Sequence, residues 1–357
     1  MTEKVLVINP GSTSTKLAIY SDNQPLVEET IQHSATEIDQ FTSVPDQKDF
    51  RKNTILSFLD NENIEVKELT AVVGRGGLLH PIVGGTYQVN EEMLEDLEEE
   101  KYSSHASNLG AILANEIAKE NDLPSYIVDP VVVDEFDPLA RISGLAGIER
   151  RSVGHALNQK AVAREVLAEK GKSYEEGNVI IAHLGGGISI GAHHQGRMIE
   201  MVNGLDGEGP YSPERTGTLP VIDFSQKIID ESLTIDQVKK IVAGTGGLKS
   251  YLAETDIRLV EEKIEAGDQE AKLYLDGMIY QIARAIGSVT PTLKGKIDYI
   301  VLTGGISHSN YVVTEIKKYI DWMAEVKVVA GEKEMQALYE GVKRVLDGVE
   351  TPKKYSK

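Results

Sequence analysis

The chain contains no cysteine among its 357 residues. That excludes disulfides, a thiolate nucleophile, cysteine-ligated zinc and iron–sulfur clusters. Positive charge is also in short supply: 37 Lys and Arg face 56 Asp and Glu, a formal net charge of −19. A nucleic-acid partner would need a basic surface, so that class is set aside. The charge itself reads as a solubility feature, and it means that arginines and lysines at any anion site work against an unfavourable field. No apolar run approaches the roughly 18 residues of a membrane span. Met1-Thr2-Glu3-Lys4-Val5 enters a strand-like run without the basic and apolar regions of a signal peptide, so a cytoplasmic protein with no membrane partner is expected. Common motifs are missing too. Gly244-Thr245-Gly246-Gly247-Leu248-Lys249-Ser250 has Leu where a Walker A loop needs Gly and reads as a helix-capping loop. Gly185-Gly186-Gly187-Ile188-Ser189-Ile190 fails the dinucleotide fingerprint at its sixth position. H-E-x-x-H and the protein-kinase H-R-D signature are absent. His193-His194 has no third ligand at metal spacing and reads as a surface pair.

What is present is ordinary globular material: 41% hydrophobic and 26% charged residues, enough for a large core. At about 150 residues per domain, the length suggests two domains. Short β-rich runs open the sequence at 5–9, 16–20 and 26–31. Helical periodicity follows at 47–60, 90–100 and 105–120, with strands at 71–73 and 125–128. A second half opens with a helix at 157–170 and a strand at 179–183. It continues through a Gly- and Pro-rich loop at 204–220, helices across 223–293, strands at 297–302 and 326–330, and helices at 309–321 and 333–347. Residues 351–357 are expected to fray. Val5-Leu6-Val7-Ile8-Asn9-Pro10-Gly11-Ser12 aligns with Val179-Ile180-Ile181-Ala182-His183-Leu184-Gly185-Gly186, each an apolar strand running into a Gly-containing turn. Two tandem α/β domains, each opening with a β-hairpin, are the natural reading.

Glycine-rich turns follow apolar strands at 9–16, 183–187 and 303–307. Glycine lets backbone N–H groups approach phosphate oxygens, and hydroxyls and Lys add donors. One such turn fits a plain hairpin equally well. Three in a two-domain α/β chain point to a nucleotide held in an interdomain cleft.

Asn9-Pro10-Gly11-Ser12-Thr13-Ser14-Thr15-Lys16 resembles the opening N-x-G-S-x-S-x-K of the acetate and butyrate kinases. The likeness continues through His183-Leu184-Gly185-Gly186-Gly187, Gly207–Gly217 and Leu302-Thr303-Gly304-Gly305-Ile306, and is closest to the butyrate kinase branch. It implies the duplicated, ribonuclease H-like fold shared with sugar kinases, actin and heat-shock chaperone ATPases. On that template the first actin-like domain spans 1–133 plus 336–357, and the second, 134–335, carries most of the nucleotide site. The implied reaction is reversible transfer of phosphate from ATP to a short-chain carboxylate, with Mg²⁺ as cofactor and a homo-oligomer as the working form. By resemblance, Arg75 faces the substrate carboxylate, with Gly77, His105 and Asn108 nearby. His155 and Arg215 engage the phosphoryl group. Asn9, Ser12, Ser14, Lys16, His183, Gly185, Gly186 and Gly187 approach the phosphates, Gly304 and Gly305 border the adenosine, and Asp129 with Glu334 serves the metal. Relatives specific for acetate carry bulk where this chain has Gly76-Gly77, Gly154 and Ser104, so a roomier pocket for a four- or five-carbon acid is expected. Acetate or propionate kinase, a sugar or polyol kinase, and an actin-like ATPase are the alternatives.

Overall fold

The computed structural model describes residues 3–357. The chain divides into two compact units, one running to Val133 and resuming at Lys333–Lys357, the other spanning Asp134–Glu332.

The first unit holds β1 (Val5–Pro10), β2 (Ser14–Ser21), β3 (Gln24–Gln32), α1 (Ala35–Ile38), α2 (Lys48–Asn61), β4 (Ala71–Arg75), β5 (Thr86–Gln88), α3 (Glu91–Glu98), α4 (Asn108–Ala118) and β6 (Ser125–Val128). The second holds α5 (Ala156–Glu169), β7 (Asn178–Leu184), β8 (Ile188–His194), β9 (Arg197–Asn203), α6 (Val221–Asp230), α7 (Ile235–Val242), α8 (Gly247–Leu252), α9 (Ile257–Glu265), α10 (Gln269–Val289), β10 (Tyr299–Gly304), α11 (Asn310–Ile320) and β11 (Val326–Ala330). The return segment adds α12 (Glu334–Leu346) and β12 (Lys353–Lys354) to the first unit.

In the first unit β1 is central, apolar and buried on both faces, pairing antiparallel with β2 and parallel with β4. The sheet order is β12-β5-β6-β4-β1-β2-β3. The edge strand β3 carries Pro25, Glu28 and Glu29 on a largely exposed surface, which blunts further strand pairing. Side-chain alternation assigns the faces. Leu6 and Ile8 of β1 and Val72 of β4 pack with Leu109 and Leu113 of α4, while α12 covers the opposite face. Asn9 and Arg75 have the parity that looks toward α12.

The second unit repeats the plan, with sheet order β11-β10-β7-β8-β9 and the same antiparallel β7–β8–β9 meander beside a parallel β10. Ile180 and Ala182 join Leu275, Ile279, Ile282 and Ile286 of α10 in one core. That spacing of three and four is a helix's apolar stripe. Val179 and Ile181 face the other way, onto Val162, Ala163, Val166 and Leu167 of α5. His183 shares their parity and is thereby aimed at α5.

The C-terminal tail departs from expectation. Instead of fraying, β12 pairs with β5, and the wholly buried Tyr355 donates its hydroxyl to Asp96 at 2.8 Å. Aromatic burial and a charge-assisted hydrogen bond anchor a segment whose sequence shows no periodicity.

Candidate functional site

In the first unit the residues of interest gather at the C-terminal ends of β1 and β4. Glu334, the first residue of α12, receives the Asn9 side-chain amide at 2.9 Å and forms an ion pair with the Arg75 guanidinium. Substrate-side and metal-side candidates are thus partners in one cluster. His105 accepts the Ser107 backbone N–H at Nδ1, 3.1 Å away, which leaves the ring proton on Nε2. Desolvation of the ring, and secondly the Arg75 charge, hold its pKa below the usual histidine value. Asn108 spends both ends of its amide on backbone: Oδ1 accepts from Leu78 at 2.8 Å and Nδ2 donates to the Ser103 carbonyl at 2.9 Å. It clamps the loop that follows Arg75.

That loop corrects one expectation. Gly76 and Gly77 do not open space beside the arginine. A Cβ on Gly77 would fall 2.6 Å from the Asn108 Cα, and one on Gly76 would fall 2.5 Å from the Pro130 Cβ. The Asn108 backbone closes in on Gly77 and the Pro130 ring on Gly76, so neither position has room for a side chain. Gly154 in the second unit is similar, since a Cβ would lie 2.1 Å from the Met201 sulfur. The Met201 side chain fills the space beside Gly154.

The turn between β1 and β2 is organised by a residue the sequence did not advertise. Arg51 of α2 is wholly buried and donates to the carbonyls of Ser14 (2.8 Å) and Ser12 (3.2 Å), to Thr15 Oγ1 (3.0 Å) and to Gln47 (3.0 Å). Burial without a carboxylate partner pushes its pKa down to about 10. Ser12 is exposed and Ser14 half-buried. Lys16 pairs across the strands with Glu28 at 2.8 Å. No motif marks Arg51; in α2 it stands among Lys48, Asp49 and Lys52 and reads in sequence as one more charged surface residue.

Asp129 follows β6 in a left-handed conformation (φ 38°) and is buried. Its Oδ1 accepts the Gly85 N–H at 2.7 Å, and its own N–H donates to the Gly85 carbonyl at 3.1 Å. Among the described residues no group of three or more His, Asp or Glu has metal-holding geometry.

In the second unit the Gly185–Gly187 turn is ringed by polar side chains. The His155 and His183 rings stack with centroids 3.7 Å apart and planes 6° from parallel. His183 is buried, with Nδ1 3.0 Å from Asn158 Nδ2. Its Nε2 lies 3.2 Å from Glu332 Oε1, without hydrogen-bond alignment. A Cβ on Gly185 would sit 3.5 Å from that nitrogen, and one on Gly187 would collide with the Arg215 guanidinium at 2.4 Å. Glycine therefore lets Arg215 lie against the turn. Ser212 links the two, donating to the Gly186 carbonyl and accepting the Arg215 N–H at 3.1 Å. Arg215 Nε is buried with no hydrogen-bond partner, and burial lowers the guanidinium pKa. Gly304 (φ 88°) passes so close to β7 that a Cβ would lie 2.4 Å from the Leu184 carbonyl oxygen, whereas Gly305 borders open space. His193 corrects the surface reading: it is completely buried, while His194 is exposed.

Residues 145–334 match the model of the acetokinase family. A probable butyrate kinase of Enterococcus faecalis is 60% identical over 354 residues, covering 99% of this chain and 98% of that protein. Among solved structures, the acetate kinase of Porphyromonas gingivalis superposes with a TM-score of 0.79 at 17% identity, covering 96% of this chain and 99% of that one. The propionate kinase of Francisella tularensis gives 0.73 at 19%, covering 95% and 98%. At those identities the structures speak for the fold alone, the two-domain actin-like ATPase fold that the repeated sheets express. The family match and the 60% identical relative, taken together, place this chain in the acetokinase family.

Proposed function

We propose that this carboxylate kinase uses ATP to phosphorylate short-chain fatty acids of about four or five carbons, butyrate first and branched isobutyrate or isovalerate with it. The reaction is reversible and can make ATP from the acyl phosphate. The observation that carries the reading is the pairing of a buried His183 Nε2 with an unsatisfied Arg215 Nε around one glycine turn. Buried donors without acceptors cost stability, and a phosphoryl group would satisfy both. The chain-length preference follows the 60% identical relative, not the glycines.

The chemistry asks little of the protein beyond position and charge. A fatty acid is already ionised at neutral pH, so no general base is needed and in-line placement with charge neutralisation suffices. Arg75 receives the substrate carboxylate in exchange for Glu334, with His105 beside it and the Gly77–Asn108 contact fixing its loop. Arg215 and His155 donate to the group in transfer, and His183 with the Gly185–Gly187 backbone holds the phosphates. Asn9, Ser12, Ser14 and Lys16 offer further donors for phosphate, and Gly304 and Gly305 a close backbone approach for the adenosine. Asp129 and Glu334 are hard oxygen donors of the kind Mg²⁺ accepts when nucleotide phosphates and water complete its shell, so a three-carboxylate cage is not required. The ion would neutralise phosphate charge. The anion-directed Arg75 favours this reading over a sugar kinase, whose hydroxyl acceptor needs a base.

The chain-length claim is tested by kcat/KM for acetate, propionate, butyrate, valerate and isobutyrate, followed by ADP release. Two added methylenes at about 0.8 kcal/mol each favour butyrate over acetate by roughly 15-fold. Equal or higher kcat/KM on acetate overturns the preference.

A further inference from the structure

Behind His155 a row of buried polar side chains runs into the core of the second unit, and phosphoryl transfer by itself does not require it there. Gln159 lies one turn after His155 on α5 and is wholly buried, as is His193 on β8. The Ser189 backbone carbonyl can only accept a hydrogen bond. Gln159 Nε2 lies 3.2 Å from that oxygen and 2.9 Å from Ser189 Oγ, so the amide nitrogen faces Ser189. Reversed, two carbonyl oxygens would oppose each other. Gln159 Oε1 therefore faces His193 Nε2, 3.0 Å away, and that nitrogen must carry the proton. His193 Nδ1 then accepts from the Tyr174 hydroxyl at 2.8 Å. Burial, followed by the charges of Lys160 and Arg164, holds His193 well below its usual range and so neutral. Ser189 Oγ, already accepting from Gln159, turns its own proton toward His155 Nδ1 at 2.9 Å. The His155 backbone N–H also points at Ser189 Oγ, 3.4 Å away, so the hydroxyl's own proton is left for Nδ1 and the side-chain donors run in a single direction. A strand glycine makes the passage possible: a Cβ on Gly191 would lie 2.3 Å from Gln159 Oε1.

We propose that Tyr174, His193, Gln159 and Ser189 form a one-directional hydrogen-bond relay that holds His155 as the neutral tautomer protonated at Nε2. They are positioning residues, and their use in catalysis rests on the kinase reading above. Asn158 acts alike on His183: its Nδ2 lies 3.0 Å from Nδ1 and 3.2 Å from Thr303 Oγ1, while Thr303 donates to the Gly331 carbonyl at 3.2 Å. Two imidazolium rings stacked at 3.7 Å would repel, whereas two neutral rings can each present an N–H donor. Successive hydrogen bonds polarise one another and strengthen the terminal donor.

The test uses the unmodified protein labelled with ¹⁵N-histidine. Long-range ¹H–¹⁵N correlation spectra report which ring nitrogen carries the proton, with the His155 signals assigned by their loss in His155→Gln. The relay predicts a single Nε2–H form for His155 at neutral pH. Ser189→Ala should mix the tautomers and lower kcat about 10- to 100-fold with KM for ATP little changed. Gln159→Met should do likewise, and the double variant should cost no more than the worse single one, because the relay acts as a unit. An Nδ1–H or charged His155 in the unmodified protein overturns the proposal. So does a Ser189→Ala variant with unchanged tautomer and kcat. If that variant does not fold, the unmodified spectrum decides alone. An Nε2–H His155 in a protein that forms no acyl phosphate would sink the kinase reading and leave the relay standing.

Discussion

Arg51 and Arg215 are both cations withdrawn from water, and they differ in what meets them. Arg51 spends its N–H groups on carbonyls and side-chain oxygens of the β1–β2 turn and its own helix, a structural use. Arg215 keeps a buried Nε unsatisfied beside Gly187. Arg215→Ala should therefore lower kcat far more than it raises KM for ATP, by ~2.7–4 kcal/mol in the barrier, as for one oxyanion donor. Steady-state kinetics check it, and a kcat within about threefold of the parent would remove Arg215 from the chemical step. Buried histidines make a separate prediction about pH. Burial first, then nearby cations, lowers the pKa of both His33 and His193 from 6.5. Below 6.5 the unfolded chain takes up protons that the folded one refuses, so stability falls with falling pH, by at most ~1.4 kcal/mol per unit for each. His105 acts in the same direction, and Glu200, pushed up by burial, works the other way as one group against three. Urea midpoints should be lower at pH 5.5 than at pH 7.5; equal midpoints would contradict the burial assigned to these rings.

At the scale of elements, β4 and α4 fix Arg75 by backbone contact. A Cβ on Gly74 would lie 1.9 Å from the Gly110 carbonyl oxygen, and Gly77 abuts Asn108 in the same way. Gly77→Val should accordingly overpack the loop and cost about 1–3 kcal/mol, read as a urea midpoint shift. It should leave the butyrate-to-acetate ratio unchanged. A stable Gly77→Val enzyme shifted toward acetate would mean that Gly77 opens pocket space after all. The strands and helices themselves were legible because their periodicity is strong: β11 falls at 326–330 as read, and α12 differs from 333–347 by a residue at each end. The places of Asn9, His183 and the Gly185–Gly187 turn in the fold were legible because they sit where apolar strands stop. Arg51, Gln159 and Tyr174 were not, because a buried polar side chain on a helix or short turn looks in sequence like a solvated one. Its partners are residues far along the chain. The same blindness misplaced His193, whose burial depends on Tyr174 and Gln159, and the tail, whose anchor is Tyr355 on Asp96.

At the scale of the molecule, the repeated four-strand plan puts candidate site residues at equivalent places in the two units. Asn9 lies one residue before the end of β1 and His183 one before the end of β7, each on the sheet face opposite the large apolar core. A duplicated scaffold has thus been given an amide in one copy and an imidazole in the other. Among the described residues no helix is long and apolar enough to cross a membrane. The chain carries net charge −19, and its proposed ligands are anions, so binding depends on the few arginines named above outweighing the global field. The chemical identity of the product tests this account most directly. The unmodified protein, incubated with butyrate, ATP, Mg²⁺ and hydroxylamine, should yield butyryl hydroxamate in proportion to ADP, since only an acyl phosphate is trapped. ADP released without hydroxamate, or no turnover on any short-chain acid, would contradict it.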